Sequence, residues 1–403
     1  MIDKHIEKSF NRLCEAEYKA DFVFRPASYS WQGDWEGRAI LAYCNLYEIT
    51  GKKPTDFDKV IELLPEKMNE EGFIGPVFND NEVDEQQIAG HSWVLCGLVE
   101  YYKLFKDEKV LQMAKTLFYN MYMRVLPHIK DYPLDREQVN EGGVSGSLTG
   151  KVINGWKLSS DVGCAFHNID GVARYYALTK DENAKLYLDT AIAKFFEFDR
   201  RKARAQTHTT MTGARGMYIL YTATGDKKYL DMAIEVFNLY RDYGMTLTYE
   251  NLNWFERPDT WTEPCAVIDS FILAVNLYEA TGDKQYLTYL RRVWFNGLSF
   301  CHRVNGGAGP NSIVLKDQPY LWINRYEAQF CCTMRYCELL LYVDKNRDLL
   351  VRDDQKDVVI DEFGRKFKGD LMYVLDEEKG EEIAIYDLAF PENNDKKYKV
   401  LFN

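Results

Sequence analysis

Apolar residues recur at helical spacing along most of the chain, and five of these runs end on a similar phrase. The phrase is Tyr-x-x-Thr-Gly-Asp or a close variant of it, and its copies begin at Tyr47, Tyr102, Tyr176, Tyr221 and Tyr278. Glycine or lysine at the fifth position is predicted to end one helix, and aspartate is predicted to cap the next. A second apolar run of helical period follows each copy. The repeating unit is therefore a helical hairpin.

Such hairpins bury their apolar faces only by stacking against one another. About six of them closed into a ring form an (α/α)6 toroid, whereas an open row forms a solenoid. The copies lie at uneven intervals of roughly 45 to 75 residues, which leaves room for long loops and favours the toroid. We predict a mainly α protein with an (α/α)6 toroid over residues 1–343. Runs rich in β-forming residues, such as 357–360 and 371–375, predict a short β-rich tail over 344–403.

Composition and charge narrow the classes of function. The net charge of −12 argues against a nucleic-acid partner, which requires a basic surface. No run of about 18 apolar residues is present, so no membrane-spanning helix is expected. The nine cysteines are irregularly spaced, unlike a secreted disulfide framework, and the N-terminal segment has no apolar signal core. These features predict a cytoplasmic protein, and they leave a homodimer open.

Two short segments carry the most distinctive chemistry. One is Phe330-Cys331-Cys332 and the other is Glu263-Pro264-Cys265. Adjacent cysteines form a strained disulfide, but both thiolates can bind one metal ion. A glutamate and a third cysteine complete a four-ligand set that zinc accepts. Reduced cysteines buried in packed helices are the alternative interpretation.

Aromatic and histidine side chains form a second group of candidates. Aromatic residues make up 14% of the chain, and such rings either stack on sugars or build a core. Trp35 stands directly ahead of a predicted helix. His91, His167 and His208 each stand just before or early in a helix of successive hairpins, where a histidine is most often a cap or a buried structural residue. Equivalent positions in a toroid would place the three toward one end, where they could contact a substrate.

The order of these features from Trp31 to Leu341 resembles glycoside hydrolase family 127, whose described members include β-L-arabinofuranosidases. The resemblance is most specific at Glu263-Pro264-Cys265, which is similar to the family's Glu-x-Cys metal motif. Cys331-Cys332 is similar to its paired-cysteine motif. The resemblance implies that these four residues bind Zn2+ and that Cys331 is the nucleophile of a retaining mechanism.

The same resemblance implies an acid/base glutamate on the loop ahead of the Glu-x-Cys motif. Glu250 fits that position best, and Glu256 is the second candidate. His91, His167, His208 and Trp35 would then hold the hydroxyl groups of a small oligosaccharide or glycoside. The chain departs from the family in a shorter loop before Glu263 and in a short tail where the family has a β-sandwich.

Two rival functions stay open at this point. A sugar epimerase or isomerase on the same toroid would use the histidines as acid and base, but it leaves the four predicted metal ligands unexplained. A glycan-binding protein that retains a structural zinc is the other, and the short tail favours it. An intact cysteine pair with a candidate acid nearby favours the hydrolase.

Overall fold

The computed structural model describes residues 1–25, 31–77, 79, 81–137, 146–353, 357–390 and 395–402. The chain divides into two compact units. The N-terminal unit is Leu13–Asn238, and the C-terminal unit is Leu239–Asn403 together with Met1–Arg12. The first helix of the chain therefore belongs to the same unit as the C-terminal residues of the chain.

Helices dominate the described residues. In chain order, the α-helices are α1 (Ile2–Arg12), α2 (Ala20–Val23), α3 (Asp34–Thr50), α4 (Phe57–Lys67), α5 (Glu85–Phe105), α6 (Glu108–Leu117), α7 (Met123–Val125), α8 (Asn168–Thr179), α9 (Glu182–Glu197), α10 (Thr207–Thr224), α11 (Lys227–Tyr243), α12 (Pro264–Thr281), α13 (Lys284–Val293) and α14 (Cys332–Lys345). The strands are β1 (Val83–Asp84), β2 (Leu148–Ile153), β3 (Trp156–Ser159), β4 (Tyr320–Ile323), β5 (Val358–Ile360), β6 (Lys366–Lys368), β7 (Leu371–Asp376), β8 (Glu381–Ala384) and β9 (Lys396–Val400). Within the described part of the chain, no helix has the length and apolarity needed to cross a bilayer.

The corners of the helical hairpins are built as the repeated phrase predicts. Helices α3, α5, α8, α10 and α12 are each followed by a residue in the left-handed region, with φ between 55° and 73°. At the corner after α10, Thr224 Oγ1 donates to the Leu220 carbonyl and accepts from the Asp226 N–H. Asp226 in turn accepts from the Lys228 N–H at 3.0 Å, which caps α11. Thr281 and Asp283 form the same contacts after α12. At both corners, residues of the corner itself therefore supply hydrogen-bond partners for backbone groups at the helix ends.

In the N-terminal unit, the first helices of successive hairpins pack side by side. Helix α3 packs on α5, α5 on α8, and α8 on α10. Glycine allows two of these crossings to be close, because a Cβ on Gly37 would lie 2.1 Å from the Val94 nitrogen and one on Gly171 would lie 2.6 Å from the Ser92 carbonyl oxygen. A small sheet of order β1-β3-β2, which the sequence analysis did not predict, belongs to the same unit.

In the C-terminal unit, α12 packs on α13 and α14, and α1 packs on α14. The β-prone runs of the tail form β5 and β7, within a sheet of order β4-β9-β7-β6-β5 in which β8 pairs with β7. Strand β4 precedes residue 344 and pairs antiparallel with β9, so the sheet includes residues from both sides of the predicted boundary. The division into a toroid over 1–343 and a tail over 344–403 stays a prediction.

Candidate metal centre and active site

Two helix starts in the C-terminal unit position the predicted metal ligands. Glu263 is the N-cap of α12, and Pro264 and Cys265 are its first residues. Cys331 is the N-cap of α14, and Cys332 is its first residue. Proline is favoured at a first helical position because the missing N–H has no helical partner there. A helix start also favours negative charge on nearby side chains, so both termini suit thiolates and a carboxylate.

The four side chains converge on one point. One ligand atom from each of Glu263, Cys265, Cys331 and Cys332 lies within 4.8 Å of all the others. The Sγ atom of Cys332 is 3.5 Å from that of Cys265 and 3.4 Å from that of Cys331. A tetrahedral site with Zn–S bonds of about 2.3 Å has sulfur atoms about 3.8 Å apart, close to these separations. All nine cysteines of the chain are free thiols.

Burial makes these thiols hard to ionise without a cation. Cys265 and Cys332 are almost completely buried, and burial raises the pKa of both thiols well above the usual value. Three such sulfur atoms and one carboxylate lie together, and a bound metal ion would keep the three thiols ionised as thiolates. The donor set and its spacing therefore fit a zinc-like ion held by three cysteines and one glutamate.

A buried ion cluster ties the two ligand-bearing helices together one turn below the cysteines. Arg335, four residues after Cys331 on α14, donates to Asp269 on α12 and to Glu338 on its own helix. Asp269 is four residues after Cys265. The side chains of Arg335, Asp269 and Glu338 are at most 3% exposed. This cluster fixes how α12 faces α14, and it thereby fixes how Cys265 faces the cysteine pair.

Glu250 lies in the loop ahead of α12 and is fully buried. Its Oε1 accepts from Asn311 Nδ2 at 2.9 Å and from Thr262 Oγ1 at 3.0 Å, and its Oε2 accepts from Thr248 Oγ1 at 3.2 Å. Burial raises the pKa of the Glu250 carboxyl to about 7, although these hydrogen bonds work against the rise. The side chain is therefore divided between its acid and carboxylate forms near neutral pH.

The loop that carries Glu250 is joined directly to the start of α12. Asn251 Oδ1 accepts from the Glu263 N–H at 2.6 Å, and Thr262 immediately precedes that ligand. The other candidate acid/base, Glu256, is exposed and has a positive φ of 60°. Of the two candidates, Glu250 is the buried one.

The sequence analysis missed the residues that orient Glu250. Arg303 is buried and donates to Asn311 Oδ1 at 2.9 Å, which turns the amide nitrogen of Asn311 toward Glu250. Arg303 also donates to the carbonyl oxygens of Phe300, Cys301 and Pro310. No local motif marks these residues, because their partners lie as much as 61 positions away along the chain.

An open cleft adjoins the second helix start. It has a volume of about 810 Å³, and its lining includes Trp322, Tyr326 and Phe330. Phe330 directly precedes Cys331. Burial raises the pKa of Tyr326, and the thiols of Cys331 and Cys332 add to the rise.

The proposed sugar-contacting residues lie in the N-terminal unit. His167 Nε2 is 3.0 Å from Thr209 Oγ1, and the ring centroids of His167 and His208 are 4.6 Å apart. Both imidazoles pack against Trp93. Trp35 is partly exposed at the start of α3 and packs against Phe22.

His91 is fully buried, and backbone groups occupy both of its ring nitrogens. Nδ1 donates to the Gln87 carbonyl at 2.7 Å, and Nε2 accepts from the Ile74 N–H at 2.9 Å. Burial lowers the pKa of His91 to about 4, so the ring is neutral. The two hydrogen bonds hold the loop at Ile74 against α5, and the sugar contact through His91 stays a prediction.

No protein-family model matches the chain, and no curated protein matches it. Several solved structures do. A cellobiose 2-epimerase from Bacillus thermoamylovorans is 13% identical, with a TM-score of 0.56 over 85% of this chain and 99% of the epimerase. An unsaturated glucuronyl hydrolase specific for heparin is 12% identical, with a TM-score of 0.58 over 87% of this chain and 99% of the hydrolase.

A family 127 β-L-arabinofuranosidase from Geobacillus stearothermophilus is also similar. It is 12% identical, with a TM-score of 0.51 over 99% of this chain and 75% of that enzyme. Likenesses at such low identity show the fold rather than the reaction. They confirm the predicted (α/α)6 toroid with a small β-rich C-terminal sheet.

Proposed function

We propose that this protein is a retaining glycoside hydrolase of the family 127 type that releases a furanose, such as β-L-arabinofuranose, from glycans or glycoconjugates. The observation that carries the proposal is the convergence of Glu263, Cys265, Cys331 and Cys332 at two helix starts. Solved glycoside hydrolases of the same fold support a carbohydrate substrate. The nine free thiols support the expected reducing, cytoplasmic location.

Zn2+ is the proposed ion, because it would supply the positive charge that keeps the three sulfur ligands ionised at neutral pH. Cys331 is the proposed nucleophile. Its relative exposure is 8%, compared with 0% for Cys265 and 1% for Cys332, so it is the least buried cysteine of the cluster. A thiolate is a stronger nucleophile than any neutral side chain at this pH.

The proposed reaction has two steps on the same carbon. Cys331 Sγ forms a bond to the anomeric carbon as the glycosidic C–O bond breaks, and the leaving oxygen takes its proton from Glu250. In the second step, the Glu250 carboxylate takes a proton from a water molecule whose oxygen attacks the same carbon. The C–S bond breaks, Cys331 departs as a thiolate, and two inversions give net retention of configuration.

Glu250 is suited to both steps because its pKa is raised to about 7. Oε1 receives the two shorter hydrogen bonds, from Asn311 and Thr262, so we assign the transferable proton to Oε2. His167, His208 and Trp35 remain the proposed contacts to sugar hydroxyls and ring faces. His167 is the N-cap of α8, His208 lies in the first turn of α10, and Trp35 lies in the first turn of α3.

A sugar epimerase is the second candidate, and the closely packed rings of His167 and His208 favour it. Two neighbouring imidazoles can act as acid and base on one carbon. That reaction gives no role to the cysteine cluster. The products distinguish the two functions, because an epimerase changes one stereocentre without releasing a sugar.

The decisive experiment combines kinetics with metal analysis on cysteine variants. In Cys331→Ser, hydrolysis of p-nitrophenyl β-L-arabinofuranoside should fall at least about 1,000-fold, because a serine hydroxyl is a weak nucleophile at neutral pH. The control is Cys337→Ser, which changes a buried cysteine of the same helix outside the cluster and should retain activity and metal. Proton NMR of the first-formed product should show a retained anomer. An inverted anomer, or normal turnover in Cys331→Ser, would refute the mechanism.

A further inference from the structure

Two fully buried imidazoles meet where α1 packs against the rest of the C-terminal unit. His5 lies on the buried face of α1, and His302 directly follows the turn Ser299–Cys301. Their Nδ1 atoms are 2.8 Å apart, and the two rings stack with their centroids 5.0 Å apart. Because both facing atoms are nitrogens, a hydrogen bond between them needs a proton on one ring and a bare nitrogen on the other.

Neighbouring groups determine where the protons of the pair lie. The Gly306 carbonyl can only accept, so His302 Nε2, 2.9 Å away, carries the hydrogen of that ring and leaves its Nδ1 as an acceptor. His5 Nδ1 therefore donates to His302 Nδ1. The Tyr336 hydroxyl donates to the Leu298 carbonyl at 3.2 Å and presents its oxygen to His5 Nδ1 at 3.3 Å. His5 Nε2 is then a bare nitrogen, and it has no hydrogen-bond partner among the described residues.

A further proton has no favourable place in this arrangement. On His302 Nδ1 it would set two N–H groups against each other at 2.8 Å. On His5 Nε2 it would create a buried cation whose new N–H has no acceptor among the described residues. Burial accordingly lowers the pKa of His302 to about 3 and that of His5 well below its usual value. Protonation is therefore compatible with this pair only if the two rings separate.

The charged groups around the pair also oppose protonation. Helix α1 contributes Lys4, Lys8 and the amino group of the N-terminus, and the loop after His302 contributes Arg303. The other rings packed against the pair are uncharged, and they are those of Trp294, Tyr336 and Phe390. In the described part of the chain, no carboxylate forms a hydrogen bond or an ion pair with either imidazole. The surroundings therefore offer an additional proton no compensating negative charge.

Helix α1 is attached in a way that allows it to leave as one piece. The chain passes into the N-terminal unit directly after Arg12, so α1 is held to its own unit by non-covalent contacts. Besides the histidine pair, these include Lys8 Nζ to the Val304 carbonyl at 2.6 Å and Arg12 Nε to Glu327 Oε1 at 3.0 Å. Glu327 Oε1 also accepts from Thr333 Oγ1, in the first turn of α14, at 2.9 Å. The docking of α1 is thereby linked to the start of α14.

We propose that α1 is a pH-dependent switch, docked on the C-terminal unit while His5 and His302 are both neutral and released in acid when these rings take up protons. Release exposes both imidazoles to water, where a histidine has a pKa of about 6.5. The released state therefore binds more protons than the docked state, and a falling pH favours it. Release also separates Arg12 from Glu327. This inference goes beyond the proposed function and does not depend on it.

Hydrogen–deuterium exchange of the full-length protein measures the release. The readout is the protection factor of the amides of residues 6–12, in which the intrinsic pH dependence of amide exchange is divided out. Between pH 7.5 and pH 5.5, a ring with a pKa of about 6.5 after release contributes a factor of about 10 to the opening equilibrium. The two rings together should therefore lower the protection of α1 about 100-fold over this range. Helix α13, in the same unit, should show no comparable fall.

Variants assign the effect to the two rings. His5→Phe keeps a ring between Trp294 and Phe390, and it should reduce the fall to about tenfold because His302 alone still titrates. The double variant His5→Phe with His302→Gln should show no pH-dependent fall. His128→Gln is the matched control, because it removes a histidine of the N-terminal unit, and it should keep the full fall.

Three results would overturn the proposal. One is equal protection of α1 at the two pH values, and another is the same fall in the double variant as in the wild-type protein. The third is an equal fall in α13, because the whole unit would then be opening. If the double variant does not fold, His302→Gln alone decides, since its fall should be about tenfold and an undiminished fall would refute the role of the pair. These measurements require neither hydrolysis nor a bound metal, so this inference and the proposed function can fail separately.

Discussion

Replacing Arg335 by methionine should be among the most destabilising single changes in the C-terminal unit. The substitution keeps much of the side-chain volume but removes the cation between Asp269 and Glu338, which are both nearly inaccessible. The two buried carboxylates would then lose the cation that they share. Breaking a buried ion pair in this way costs about 3 to 5 kcal/mol of unfolding free energy.

The same change should weaken metal binding, because Arg335 and Asp269 join α14 to α12 one turn below the cysteine cluster. Urea unfolding of the protein with and without added zinc measures the loss of stability, and a competing chelator measures the zinc affinity. Arg347→Met is the matched control. Arg347 pairs with Asp3 and Asp344 at a surface where its side chain is 40% exposed, so its loss should cost at most about 1 kcal/mol.

A further variant makes the reasoning refutable. Removing all three charges together, as Arg335→Met with Asp269→Asn and Glu338→Gln, should recover part of the stability, since no uncompensated carboxylate is left. If Arg335→Met costs no more than Arg347→Met, or if the triple variant is less stable than the single one, the buried charges do not set the cost.

Three other predictions follow from the site and its surroundings. In a pH profile of kcat/KM, activity should decline as the pH rises through about 7, because Glu250 must be protonated to act as the acid. This decline should be absent in Glu250→Gln and unchanged in Glu256→Gln. Burial lowers the pKa of His302 to about 3 and that of His5 well below normal, so the unfolded chain binds protons near pH 6.5 that the folded chain does not. The free energy of unfolding should therefore fall by about 1 kcal/mol per buried neutral histidine between pH 6.5 and 5.5 in urea titrations, and about 1 kcal/mol of that loss should be absent in His302→Gln. Plasma emission spectrometry should find one zinc per chain, and its removal by a chelator should lower the thermal midpoint; a midpoint that does not respond would contradict a metal held by three buried cysteines and Glu263.

The parts of the fold that could be predicted from the sequence are those whose contacts are local. The hairpin corners are recognisable because threonine, glycine and aspartate satisfy one another within a few positions, as Thr224 and Asp226 do. The cluster of candidate metal ligands could be predicted for a related reason. Its four residues fall into two short motifs, and the chemistry of thiolates and carboxylates limits what such motifs do.

The residues that could not be predicted act across long separations. Arg303 orients Asn311, and Asn311 in turn contacts a glutamate 61 positions earlier; an isolated arginine or asparagine carries no sign of such a partner. Strand β4 lies before α14 and β9 lies after it, so their pairing joins segments that are far apart in the sequence. Without that pairing, the residues after α14 were predicted to form a separate tail. The hydrogen bonds of His91 could not be predicted either, because nothing local indicates that Ile74, 17 positions earlier, donates its N–H to the ring.

The membership of α1 in the C-terminal unit has a consequence for how the chain folds during synthesis. His5 contacts His302, which is 297 residues later, and Arg12 pairs with Glu327, 315 residues later. Helix α1 therefore emerges from the ribosome long before its partners exist, and the N-terminal unit, whose contacts are complete by Asn238, can fold first. The C-terminal unit can be completed only after translation has passed α14, and until then the face of α1 that carries His5, Ile6, Ser9 and Arg12 has no partners to pack against.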